Sequence, residues 1–148
     1  MNLLVTKLPT VGRITLGLLF FVFGLNGFLN FIPQPPMPEA AGAFAGALFK
    51  TGYFFPMLKS IEVVAGLLLL SNRFVPLALA VLAPIVVNIA AFHAVLAPNP
   101  VMVVLVLVLE IYLAWSYRAA FAPMLRARTS PTVGTAQASL PLAHPAKT

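Results

Sequence analysis

The sequence predicts an all-α, polytopic membrane protein: an antiparallel bundle of four transmembrane helices with a short interfacial helix between spans 1 and 2. Three observations predict it. Of 148 residues, 61% are hydrophobic and 8% charged, whereas a soluble domain carries about a quarter charged residues. The apolar residues are gathered into runs of about 20, the length of helix that crosses a hydrocarbon core. Clusters of Pro, Asn, Ser and Arg separate the runs and stop helices where they fall.

Span 1 is expected at about 11–32, with residues 1–10 as a cytoplasmic N-terminus. Lys7 and Arg13 precede an apolar run, as in a secretory signal, but the run from Ile14 to Ile32 exceeds the roughly 7–15 residues of an h-region and no small-x-small site follows. It reads as an uncleaved span, ended by Pro33, Pro35, Pro36 and Pro38. Residues 39–51 then form a short helix: Pro38 and Glu39 suit its start, Lys50 its last turn and Gly52 its stop. At about 1.5 Å per residue it is too short to span, so it is expected on the outer surface of the bundle.

Spans 2, 3 and 4 follow at about 53–71, 74–97 and 101–122. Ser71-Asn72-Arg73 and Pro98-Asn99-Pro100 are so short that the helices they join must be antiparallel neighbours. Residues 11–125 thus make one transmembrane domain. The Ser-, Thr-, Pro- and Ala-rich residues 126–148, which include His144, read as a disordered cytoplasmic tail.

With four crossings, Lys7, Arg13, Arg73, Arg118, Arg126 and Arg128 fall on one side and Lys50 on the other. The positive-inside rule puts both termini in the cytoplasm, and Tyr112, Trp115 and Tyr117 lie near the inner interface. The net charge of +6 is scattered over span ends, with no polar domain to carry it, so the expected partner is the lipid membrane and no nucleic acid. The absence of cysteine excludes disulfide exchange, thiolate metal sites, iron–sulfur clusters and thioether-linked haem.

Two of the three carboxylates, Glu62 and Glu110, lie inside spans. Intramembrane ionisable groups are costly unless paired or protonated, and they mark functional sites by default. Counted from the outer span ends, both lie about 13 Å deep and Asn88 about 15 Å, with Lys59, His93, Asn26 and Asn30 shallower. These residues are the ligand-binding candidates, in a polar outer half over an apolar inner half.

Each also has a plainer reading. Lys59 and Glu62, three residues apart, can neutralise each other. Glu110 can fix helix packing by pairing across the bundle, and Asn26, Asn30 and Asn88 can act as interhelical glue. His93 lies about 140° around an ideal helix from Asn88, which opposes a single pocket. One intramembrane histidine cannot supply two haem ligands, and no metal is expected.

Several strings together resemble the DoxX family of small four-helix bacterial membrane proteins over roughly residues 10–125. They are Arg13-x-x-x-Gly17, Gly24-Leu-Asn-Gly27, Lys59-x-x-Glu62-x-x-x-Gly66, Asn72-Arg73-Phe74-Val75-Pro76, and Pro84 through Asn88 to His93. The resemblance implies a bacterial inner-membrane location and association with quinone-linked redox proteins. It does not bring an established reaction, and this chain has Asn26 and Asn30 where members often carry a lysine.

The expected function is therefore a subunit or accessory protein of a membrane redox system. It has no intrinsic cofactor, and binds a small amphipathic ligand such as a quinone in the outer-half pocket. Electrons would come from a redox-protein partner. Two alternatives stay open: a transporter or channel subunit working as a homo-oligomer through Glu62 and Glu110, and an assembly protein with no activity of its own.

Overall fold

The computed structural model describes residues 3–33 and 36–130, all helix and connection with no strand among them. The six helices are α1 (Leu3–Leu29), α2 (Glu39–Lys50), α3 (Phe54–Leu70), α4 (Val75–Val95), α5 (Pro100–Ser116) and the single turn α6 (Arg118–Phe121). The expected tail from residue 131 onward lies outside the described residues.

The four long helices pack in a closed circuit, α1 on α3, α3 on α4, α4 on α5 and α5 back on α1. A core of Leu16, Phe20, Leu69, Leu79, Leu82, Val106 and Leu113 lies inside the circuit. Large apolar side chains also cover the outside, among them Leu18, Val64, Val87, Val108 and Ile111. Apolar patches of that extent belong in lipid. Two helical stretches, Lys7–Leu29 and Val75–Val95, are long and apolar enough to cross a membrane by themselves, and α2 with α3 makes a third if the bent pair is one span.

The most intimate contact is between α1 and α3, which run antiparallel. Gly24 of α1 faces Glu62 and Val63, and Gly17 faces Gly66, Leu69 and Leu70. A Cβ on Gly66 would stand 2.6 Å from the Phe21 nitrogen and 2.9 Å from the Gly17 oxygen, so only glycine permits this approach. Small residues at a seam give lipid-embedded helices close van der Waals contact where no hydrophobic drive exists. At one end of the seam the buried Arg13 donates from a guanidinium nitrogen to the carbonyls of Leu69 and Leu70. These are among the last carbonyls of α3, past the reach of the regular i to i+4 ladder, and a cation there also meets the negative end of the helix dipole.

The connections follow their sequence signals. After α3, Asn72 N–H donates to Leu69 O and Arg73 N–H to Leu68 O, a Schellman stop with Asn72 in the left-handed region (φ 55°). Phe74 is also left-handed (φ 51°) and 69% exposed. For a bulky residue this backbone costs on the order of 1–3 kcal/mol. Asn99 caps α5 by accepting from the Met102 N–H at 3.1 Å, with Pro100 in the first turn.

A helix forms over Glu39–Lys50, where a short one is expected, and meets α3 at 93° after Gly52 (φ 72°). It is held by the buried Ala41, by Phe44 against Phe92 of α4, and by Phe49 against Phe55.

Boundaries differ from expectation at three places. Helix α1 begins at Leu3, inside the segment expected to precede span 1, and runs through Pro9. It stops at Leu29, because Asn30 turns left-handed (φ 51°) and the Asn26 side chain folds back to accept from the Ile32 N–H at 2.6 Å. The span expected to reach 122 ends at Ser116. There the Arg118 guanidinium takes the Trp115 carbonyl and lies over the Trp115 ring, and the chain leaves helical geometry at Tyr117.

Gly66→Ala should lower stability by about 3 kcal/mol, the upper range for overpacking, because backbone atoms on α1 cannot yield. Gly46→Ala, with nothing within 4 Å of the added carbon, should raise it by about 0.5–1 kcal/mol. Thermal unfolding of both variants in detergent reads the contrast.

Candidate functional site

The polar residues inside the helices occupy three separate settings. Lys59 and Glu62 sit on α3 against the last turns of α1. The absence of side chains at Gly24 and Gly27 makes room for them, since a Cβ on Gly27 would overlap the Lys59 stem. Lys59 Nζ donates to Glu62 Oε2 at 2.6 Å, with the two side chains 20% and 3% exposed. The plainer reading of this pair is what the geometry displays: each charge is neutralised by the other, and the lysine head lies toward the surface.

Glu110 on α5 is different. It is 7% exposed and its Oε2 is buried with no hydrogen-bond partner among the described residues. A carboxyl oxygen in that position loses its hydration without compensation, at a cost of about 1–3 kcal/mol. The residue is chemically able to hold a proton or to accept a hydrogen bond from something that enters.

Asn88 lies in a groove of about 290 Å³ between α2 and α4, lined by Phe44, Asn88, Ala91, Phe92, Val95 and Leu96. The amide is exposed to the groove and makes no hydrogen bond within the described residues, while the Phe44 and Phe92 rings meet at 6.1 Å between centroids. An apolar slot with two aromatic faces and one free amide suits a flat molecule with a carbonyl or hydroxyl edge.

The remaining candidates have local duties or none in the groove. Asn26 caps the end of α1, and Asn30 is an exposed turn residue. His93 Nδ1 lies 2.8 Å from the carbonyl of Ile89 on its own helix, and its ring stands edge-on to Phe92 rather than lining the groove. Among the described residues no three His, Cys, Asp or Glu side chains come together to hold a metal ion, so Glu62, Glu110 and His93 do not form a ligand set.

Arg13 was legible in the sequence as a topology charge and as part of the Arg13-x-x-x-Gly17 string, although its spacing to Gly17 and Gly24 places all three on one face of α1. That shared face was the available signal for its role at the α3 terminus. Phe44 and Phe92 carried no signal at all, because aromatic residues in apolar helices are ordinary.

Lys59→Met should cost about 3 kcal/mol by stranding Glu62, while the double replacement with Glu62→Leu should restore most of it. Glu110→Leu should raise stability by about 1 kcal/mol, since it removes an unpartnered polar atom. Thermal unfolding of the variants in detergent, read as a double-mutant cycle for the pair, measures all three.

No curated protein and no solved structure matches the chain. The sequence profile of the DoxX family matches residues 8–95, more than half of the chain, and takes in most of α1 and all of α2 to α4, with the glycine seam, the Lys59–Glu62 pair and Asn88. The α5 helix with Glu110 lies beyond that match. This chain belongs to the DoxX family.

Proposed function

We propose that this protein is an accessory subunit of a membrane redox system, and that it holds a small amphipathic molecule, a quinone by its chemistry, in the groove between α2 and α4. The observation that carries the reading is the free amide of Asn88 beside the paired rings of Phe44 and Phe92. The amide donates to a quinone carbonyl, the paired rings form one apolar wall against its face, and the isoprenoid tail runs out into lipid along α4. None of these side chains carries electrons, so a partner protein supplies and removes them.

The placement follows from four crossings by one transmembrane domain. Antiparallel packing gathers Lys7, Arg13, Arg73 and Arg118 at one end, since Arg13 meets Leu69 and Leu70 while Gly12 lies against Tyr112 and Leu113. The α2 helix and the Asn99 turn occupy the opposite end. The basic end faces the cytoplasm of a bacterial inner membrane, and the groove opens toward the outer leaflet. At 17 residues α5 reaches about 25 Å, close to a hydrocarbon thickness, and is completed by its polar ends.

Glu110 favours a second reading, a proton or cation path in a homo-oligomer. Flux in liposomes that is lost in Glu110→Gln and kept in Asn88→Leu would support it over quinone binding.

Solvent extraction and mass spectrometry of protein purified in mild detergent should recover a quinone, with retention about tenfold lower in Asn88→Leu, the effect of one lost hydrogen bond. An empty groove after purification from quinone-replete membranes would overturn the proposal. The chain has no cysteine, so single replacements report topology cleanly. In intact cells an impermeant maleimide should label Gly46→Cys and spare Ala127→Cys.

A further inference from the structure

A second groove, of about 340 Å³, runs between α3 and α4 and is lined by Ser60, Ile61, Val64, Ala65, Leu68, Leu77, Ala78 and Val81. Its lining is aliphatic apart from Ser60. The two walls are antiparallel, with Leu68 level with Leu77 near the Ser71–Phe74 turn and Ser60 at the far end. By helical rise the α3 wall is about 12 Å long. It lies wholly within the apolar part of both helices and uses a different stretch of α4 from the Asn88 groove.

What stands at the end of this groove gives its occupant. Arg73 lies in the turn that joins the two walls, its backbone N–H donating at 3.0 Å to the carbonyl of the lining residue Leu68. Its side chain is exposed and its guanidinium makes no hydrogen bond or ion pair among the described residues. Beside it Phe74 is held outward by a left-handed backbone, 69% exposed. A bulky residue in that conformation has a backbone that its surroundings must enforce. Here the outcome is an exposed aromatic residue next in the chain to an exposed cation, in the turn that joins the walls of the apolar groove.

We propose that this groove and the Ser71–Phe74 turn form a binding site for an anionic phospholipid. One acyl chain lies between α3 and α4, the phosphate pairs with the Arg73 guanidinium, and the Phe74 ring sits at the level of the lipid glycerol. Basic groups at the mouth of an interhelical groove select anionic head groups, and each Lys or Arg near the surface contributes about fivefold in affinity. The site is independent of the quinone reading and needs only that α3 and α4 lie in the membrane.

Native mass spectrometry of the purified full chain, titrated with phosphatidylglycerol or phosphatidylcholine, tests the proposal. One phosphatidylglycerol should be retained in preference to phosphatidylcholine. Arg73→Gln should reduce that preference about fivefold and leave phosphatidylcholine binding unchanged. Val64→Phe and Val81→Phe, at outward-facing positions that fill the groove, should reduce retention of both lipids while the quinone content stays at the wild-type level. Equal retention of the two lipids by the wild-type protein, or unchanged preference in Arg73→Gln, would overturn it. A dimer that dissociates on Val64→Phe would give the groove to a second copy of the chain and overturn it equally.

Discussion

The closeness of α1 and α3 governs the rest of the fold. Their backbones touch at Gly17 and Gly66, and that spacing lets the guanidinium of Arg13 reach the end of α3. In lipid the helices gain nothing from excluding water, so contact must come from dispersion at short range and from polar groups that find partners. The glycine seam supplies the first and Arg13 the second. Move the helices apart by the width of a methyl group and both are lost together, and with them the notch that shelters Lys59 and Glu62.

The polar residues fall into a hierarchy that this seam explains. Those next to it are satisfied: Lys59 with Glu62, Arg13 with carbonyls, Asn26 with the turn after α1. Three of those away from it are not. Asn88 opens to a groove, Arg73 ends another, and Glu110 keeps a buried oxygen without a partner. Satisfied groups hold a structure together, whereas unsatisfied ones are free to hold something else. The chemical interest of the protein therefore lies on α4, its two neighbouring grooves and α5, and less in the conspicuous ion pair of α3.

Much of the architecture was legible because lipid leaves few choices. Apolar runs, the Pro98-Asn99-Pro100 stop, and the Pro38–Glu39 and Lys50–Gly52 limits of α2 each map onto an observed element. The helix ends were read less well. Asn30 looked like part of a span, yet its tolerance of left-handed backbone made it the stop. Tyr117 and Arg118 looked like the inner end of span 4, but a guanidinium that prefers a carbonyl and an indole face breaks the helix first. The candidate site was only partly legible. Spacing along one helix found Lys59 with Glu62, while the meeting of Phe44 with Phe92 depends on how α2 folds over at 93°, which no local pattern encodes.

The position of Arg13 also bears on the order in which the protein is made. Its acceptors on α3 lie 56 residues further along the chain, and at about 5–20 residues per second they follow it from the ribosome by roughly 3–11 s. During that interval α1 must rest in the bilayer with a cation whose eventual partners have not been synthesised. The guanidinium can reach phosphate head groups meanwhile. The α3 terminus, once made, offers it the carbonyls of Leu69 and Leu70 instead. The same residue that locks the finished bundle is therefore without its protein partners until α3 has been made.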